Sequence, residues 1–242
     1  MQSATCIRLD QVCRTFGSKE VIKEISLQVG RSDIFGLLGP SGSGKTTLVK
    51  MIAGIDEATS GDVYVLGERM PKLSHLQQIG YMGQSDALYA ELTAQENLEF
   101  FCALYGLGGA DKKRRMQEVM ELVNLGAHMK QQVARYSGGM KRRLSLAVAL
   151  LHQPPVLILD EPTVGIDPVL RQSIWSELEQ LSRSGTTIVL TTHVMDEAER
   201  CGQLGMIRDG TLIAAGTPEA LKKDTGSATL EQAFLHFGGA AS

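Results

Sequence analysis

Ile34-Phe35-Gly36-Leu37-Leu38-Gly39-Pro40-Ser41-Gly42-Ser43-Gly44-Lys45-Thr46-Thr47-Leu48-Val49-Lys50-Met51-Ile52-Ala53-Gly54 is the stretch from which the rest of the chain is read. A short apolar run of strand character leads into a glycine-rich turn. A helical stretch follows, and Gly54 stops it. The turn fits G-x-x-x-x-G-K-[ST], the phosphate-holding loop between a strand and a helix. Glycines let the backbone curl until successive N–H groups face one anion. The following helix adds roughly half a positive charge at its N-terminus. On this reading Gly39, Pro40, Ser41, Gly42, Ser43, Gly44 and Thr47 surround a nucleotide's phosphates. Lys45 reaches the β- and γ-phosphates, and the Thr46 hydroxyl ligates Mg²⁺.

Outward from that loop the pattern is α/β. Ahead of it, Ile7 and Leu9 and then Val21, Ile22, Ile25, Leu27 and Val29 alternate as half-buried strands do, with Gly17-Ser18 as the turn between them. From about Thr93 to Met129 the spacing becomes helical, marked by Leu98, Phe101, Leu104 and Tyr105 and then by Met116, Val119, Met120 and Val123. The aromatics of this block read as core. Val156–Leu159 and Thr187–Leu190 are continuous apolar runs, as in parallel strands buried on both faces. A helix over about Val169–Ser182 joins them into a β-α-β unit. Leu204–Ile207, an Asp209-Gly210 turn and Leu212–Ala214 close the pattern. The expected fold is a P-loop NTPase core with a parallel sheet, an N-terminal antiparallel β subdomain and an inserted α-helical lobe. The chain reads as a single domain over 1–242, its α/β core at 1–90 and 154–242 and its lobe at 91–153.

Asp160 and Glu161 end one apolar run, where paired carboxylates are costly without partners. Beside a phosphate loop, Asp160 is the candidate Mg²⁺ ligand. Glu161 is the candidate base that activates a water against the γ-phosphate. His193 follows the next apolar run, and the C-terminal ends of parallel strands converge on the ligand crevice. It could contact the γ-phosphate or the attacking water. Gln84, ahead of the lobe, could sense Mg²⁺ or water and pass that state on. Phe16 could stack on adenine or belong to the core.

A second glycine turn, Tyr136-Ser137-Gly138-Gly139-Met140, has no lysine or metal ligand of its own. Ser137 is a good helix cap, yet a cap does not require two glycines, which cost backbone entropy. Exposed N–H groups at Ser137, Gly138 and Gly139 would suit a phosphate. Lys141-Arg142-Arg143 read as solvent-facing basic residues.

The chain has 242 residues and a formal net charge of −3, with both signs mixed along it. That length supports a buried core without disulfides. The mixed charge argues against a nucleic-acid partner, which asks for a basic face. Cys6, Cys13, Cys102 and Cys201 have no zinc-site spacing and read as buried or incidental thiols in a reducing cytosol. Arg8, Asp10 and Arg14 argue against a secretory leader. No run of about eighteen apolar residues offers a membrane span.

In their order, these elements resemble the nucleotide-binding subunit of an ABC transporter over nearly the whole chain. The resemblance makes Phe16 the adenine-stacking position, Gln84 the Q-loop glutamine and Tyr136–Met140 the signature. It makes Asp160 and Glu161 the Walker B pair, Asp167 the D-loop aspartate and His193 the switch histidine. It implies ATP and Mg²⁺ as cofactors, with Gln84 a metal ligand beside Thr46 and Asp160. It also implies a second ATPase subunit, identical or homologous, meeting this one head to tail. Ser137, Gly138 and Gly139 would then touch ATP held by the partner's loop. The surface from Gln84 to Tyr105 would grip a transmembrane permease, holding the chain at the cytoplasmic face of a membrane. The commonest signature is L-S-G-G-Q, and Tyr136 and Met140 depart from it. The Y-S-G-G-M form, Lys141–Arg143, Thr163–Asp167 and the tail Leu230–Leu235 resemble a bacterial branch exporting drugs, lipids or glycans. Two other classes compete: a soluble ABC ATPase of repair or translation, and an ATP-gated clamp that does not hydrolyse.

Overall fold

A computed structural model describes residues 5–239. The alternating N-terminal segment forms β1 (Thr5–Phe16) and β2 (Lys19–Gly30), paired antiparallel around the Gly17-Ser18 turn. Then come β3 (Ile34–Leu38), α1 (Lys45–Ile52), β4 (Ser60–Val65), β5 (Glu68–Arg69) and β6 (Ile79–Met82). The helices α2 (Ala94–Leu104), α3 (Gly109–Leu122) and α4 (Gly138–Leu150) follow. β7 (Val156–Asp160), α5 (Pro168–Arg183) and β8 (Thr187–Thr192) form the expected β-α-β unit. The chain continues through α6 (Met195–Ala198), the hairpin β9 (Gln203–Arg208) and β10 (Thr211–Gly216), α7 (Pro218–Asp224) and α8 (Leu230–Phe237).

The strands make two sheets, of order β2-β1-β4-β5 and β10-β9-β3-β8-β7-β6. The first is antiparallel. The second is parallel from β9 to β6 and carries β10 as an antiparallel edge. Its central strands β3, β7 and β8 are buried throughout and mostly apolar because both faces are covered. Phe35, Leu37, Val156, Ile158 and Val189 pack toward α1 and the antiparallel sheet. Their neighbours Ile34, Leu38, Leu157, Leu159, Ile188 and Leu190 join a cluster with Leu144, Ile174 and Trp175. Strand alternation thus divides one run of apolar residues between two cores.

The second core extends to Leu98, Cys102, Met116, Val119 and Met120 of α2 and α3, so helices and sheet share an apolar interior. α2 begins with a reciprocal cap, Thr93 accepting from the Glu96 amide and Glu96 accepting from the Thr93 amide, an arrangement worth about 1 kcal/mol. The block's aromatics lie at the margin of the core rather than inside it, with Phe101 packing against the buried cluster. Phe101 and Tyr105 are half-buried, Leu104 is exposed, and all three line surface grooves. Their helix has one face on the core and a second apolar face left open. Cys6, Cys102 and Cys201 are buried, and all four cysteines are free.

Past the end of α4, His152 stacks on Tyr105 at 3.7 Å between ring centroids. Neither ring nitrogen has a hydrogen-bond partner. Burial outweighs an opposing main-chain contact with Ile79 and, with the Arg115 charge beside it, holds the imidazole down at about 4 against a usual 6.5. Above pH 6.5 the ring is neutral folded or unfolded, and it adds no pH dependence. Below that, the unfolded chain takes up a proton that the folded chain refuses. Stability therefore falls from pH 6.5 to about 4, by up to roughly 3 kcal/mol. His152→Phe keeps the stack and should remove that share of the slope in urea titrations between pH 7 and 4.5. Identical slopes in the two proteins would mean that His152 is not the group responsible.

Candidate functional site

Strand register assembles the site. Met82 pairs with Leu159, Asp160 with Thr191 and Leu38 with Thr192, so four parallel strands end side by side. Gly83, Glu161, His193 and Gly39 lie one residue beyond those ends. Sequence reasoning expected Glu161 and His193 near the phosphate loop, and the strand ladder sets all four positions along one edge of the sheet.

At the glycine turn, Gly39 packs so closely on the Ile207 carbonyl and Ser43 Oγ that a Cβ would collide with both. Gly44 precedes α1 at φ 104° and gives it no side-chain cap. The first amides of α1 therefore keep their capacity for an outside acceptor. Lys45 is buried and donates to the Gly39 and Pro40 carbonyls at 2.8 and 3.0 Å. Burial pulls its pKa down, while the Glu161 and Asp160 charges push it up. Both carboxylates thus act electrostatically on the loop lysine. The buried Ser43 hydroxyl has no partner.

Asp160 is fully buried. Its Oδ1 accepts from the Thr191 hydroxyl at 2.5 Å, and the same hydroxyl accepts from the Glu161 amide at 2.9 Å. Asp160 Oδ2 is left without a partner. A buried carboxylate oxygen without a partner is costly unless a cation or donor meets it. With the Thr46 hydroxyl and the Gln84 side chain the set is all oxygen, which suits a hard cation such as Mg²⁺. Thr46 and Gln84 line one groove of about 470 Å³ that also reaches Phe101 and Tyr105.

Glu161 takes the left-handed φ of 53°. Its Oε1 lies 3.1 Å from His193 Nδ1. With a carboxylate acceptor there, Nδ1 carries the proton. His193 is about half exposed and Glu161 much less so. Behind them the buried Glu197 receives both the Thr163 and the Thr192 hydroxyls, joining the segment after Glu161 to the one before His193.

Phe16 is exposed, which removes it from the core, and the Arg14 guanidinium covers one ring face at 4.4 Å. Asp167 caps α5, accepting from the Leu170 amide at 3.0 Å. Ser137 likewise caps α4 through the Met140 amide. Tyr136 is buried and donates its hydroxyl to the His128 carbonyl, while Met140 packs against the apolar cluster. Ser137 and Gly138 are exposed, and a Cβ on Gly138 would meet nothing within 4 Å. Gly138 has no positive φ and no crowding, so nothing in this chain requires a glycine there.

Two residues that the sequence pattern did not single out prove central. One is Thr191. The other corrects the reading of Lys141-Arg142-Arg143: Arg142 is buried and bonded to main-chain carbonyls, and Arg143 donates to the Val123 and Asn124 carbonyls past α3. The available signal was the run Leu144–Leu150, apolar but for Ser145, which leaves α4 no broad solvent face.

The ABC transporter family profile matches residues 22–164. The chain belongs to this family. The probable multidrug ABC transporter ATP-binding protein YbhF of Escherichia coli is 40% identical over 96% of this chain and 41% of its own length. The chain thus spans about two fifths of that relative. The linearmycin resistance ATP-binding protein LnrL of Bacillus subtilis is 41% identical over 93% of this chain and 74% of its own. A solved ATP-binding subunit of an ABC transporter superposes with a TM-score of 0.90 at 27% identity, covering 97% of this chain and 100% of that one. The dimeric cassette MJ0796 bound to ADP and Pi gives 0.81 at 26% identity over 87% and 98%. This family member therefore has the α/β fold of an ATP-binding cassette. Among its described residues, no helix is long and apolar enough to cross a membrane.

Proposed function

We propose that this chain is the ATP-hydrolysing subunit of an ABC exporter of drugs, lipids or glycans. It dimerises around ATP and attaches peripherally to a transmembrane permease at the cytoplasmic face of the membrane. The observation that carries hydrolysis is the Glu161–His193 pair at 3.1 Å, directly beyond an Asp160 that the Thr191 hydroxyl orients. Gly39–Thr47 surround the triphosphate, Phe16 offers its free face to adenine, and Lys45 exchanges loop carbonyls for phosphate oxygens. Thr46, Asp160 and Gln84 hold Mg²⁺, which neutralises charge on the phosphates when bound. Glu161 takes the proton of the attacking water, and His193 keeps that carboxylate aligned.

The open space at Gly138 supports a composite site. A backbone that nothing in its own chain crowds is suited to a phosphate held by another subunit. Ser137, Gly138 and Gly139 then close on the partner's ATP, with Asp167 near the joint. The helical lobe at 91–153 and the groove from Gln84 to Tyr105 face the permease. Export follows the relatives: LnrL is named for linearmycin resistance, and a 41% identical protein of Paraburkholderia xenovorans for Nod factor export.

The test is ATP turnover by the purified chain. Turnover should require Mg²⁺ and stop with EDTA. Lys45→Ala should weaken ATP binding roughly 10- to 100-fold, the worth of about 1.5–3 kcal/mol for a charged hydrogen bond. Absent turnover, or ATP affinity unchanged in Lys45→Ala, would overturn the assignment. Co-purification from membranes identifies the permease.

A further inference from the structure

Arg142 lies in the first turns of α4, five residues after Ser137. Its guanidinium is buried and faces main-chain oxygens. Nη1 donates to the Gly83 and Gln84 carbonyls at 2.6 and 3.1 Å. Nη2 donates to the Glu161 carbonyl at 2.7 Å and to that of Asp160. One side chain therefore fastens the end of β6, the end of β7 and the start of α4 together. A turn further along, Ser145 donates to Asp86 Oδ1 at 2.9 Å and ties the same helix to the segment after Gln84.

A structural anchor could hold any carbonyl, but these belong to residues with assigned work. Glu161 sits at φ 53°, a conformation that disfavours a residue with a Cβ. A residue kept there must be held by its surroundings. Thr191 holds its amide and Arg142 its carbonyl, so the peptide units on both sides of its Cα are fixed. Those bonds set the direction in which the carboxylate leaves the backbone toward His193. Through Gln84, the same guanidinium holds the segment lining the groove toward Phe101 and Tyr105.

We infer that Arg142 is a positioning residue for hydrolysis, locking the backbone of Glu161 and Gln84 to the helix that carries Ser137. The base of one ATP site and the signature that serves the other site are then joined within a single subunit. This rests on the ATPase reading above.

Arg142→Lys is the deciding variant. It keeps the charge and most of the stem, but a single ammonium cannot span these carbonyls. Expected is a loss in kcat of roughly 10- to 100-fold, the cost of an ångström-scale misplacement, with KM for ATP within about twofold of wild type. Arg142→Met should lose at least as much; if it fails to fold, the lysine variant still decides. In a Glu161→Gln background Arg142→Lys should cost much less than it does alone, because the larger part of its effect passes through the base and only the part through Gln84 remains. ATP-dependent dimers of that double variant should persist on gel filtration. Wild-type kcat in Arg142→Lys overturns the inference, as does a full additional loss on top of Glu161→Gln. If wild type itself does not turn over, or Glu161→Gln is fully active, the ATPase reading falls and takes this inference with it.

Discussion

Glu161→Gln is expected to leave ATP binding intact and to lower kcat roughly 10²–10⁴-fold, the usual worth of a positioned base. The substitution is nearly isosteric, and the contacts that build the site do not depend on the lost charge. The Thr191 hydroxyl still receives the main-chain amide of residue 161 and still donates to Asp160. The amide oxygen of glutamine can still accept from His193 Nδ1, so the ring keeps its orientation. Only the capacity to take a proton from water is removed. ATP then persists where two subunits meet, and dimers should accumulate in light scattering with ATP but not with ADP. Wild-type turnover in this variant would remove Glu161 from the base role. Slow turnover without dimers would separate hydrolysis from association.

The second large effect concerns subunits that are inactive alone and active together. Lys45→Ala disables the loop that holds phosphate, and Ser137→Arg blocks the signature. In a homodimer of either variant both composite sites are broken. A mixed dimer pairs one broken loop with one broken signature, and its other site keeps an intact loop and an intact signature. Random mixing of equal amounts should restore roughly a quarter of the wild-type sites, as follows from a two-fold head-to-tail arrangement. Ser137→Arg is a usable probe because Ser137 and the neighbouring Gly138 are exposed, which leaves a longer side chain room toward solvent. Its local cost is the α4 cap, about 1 kcal/mol. Failure of the mixture to recover activity would rule out independent sites built in trans.

The parts legible in the sequence were those whose physics is local. The run Ile34–Leu38, the glycine turn and α1 follow each other as read, because strand, turn and helix signals are adjacent in the chain. Val156–Leu159 and Thr187–Leu190 were legible as buried strands because both faces demand apolar residues. β4 was not: Ser60-Gly61-Asp62 opens it with polar residues, and its strand character comes from pairing with β1. α7 and α8 were overlooked, although Thr217-Pro218 and Thr229 carry ordinary helix-start chemistry. Arg142 was misjudged because a basic triplet shows its charge and hides its helical phase. Which of three neighbours turns inward depends on the strand ends opposite, and those are more than fifty residues away for Gly83 and Gln84. The role of Thr191 depends in the same way on the β7–β8 register.

That register has a consequence for how the protein verifies its own assembly. Thr191 and Thr192 are consecutive on β8 and so point to opposite faces of the sheet. One gives its hydroxyl to Asp160 and the other to Glu197, two of the most deeply buried carboxylates in the molecule. A one-residue slip of β8 would exchange the faces. In the slip that puts Leu190 in the place of Thr191, Asp160 loses its one hydroxyl donor, and an unpaired buried charge costs several kcal/mol. The residue that prepares the chemistry thus also acts as a proofreading step for the central sheet, penalising a pairing in which Asp160 would face an apolar side chain.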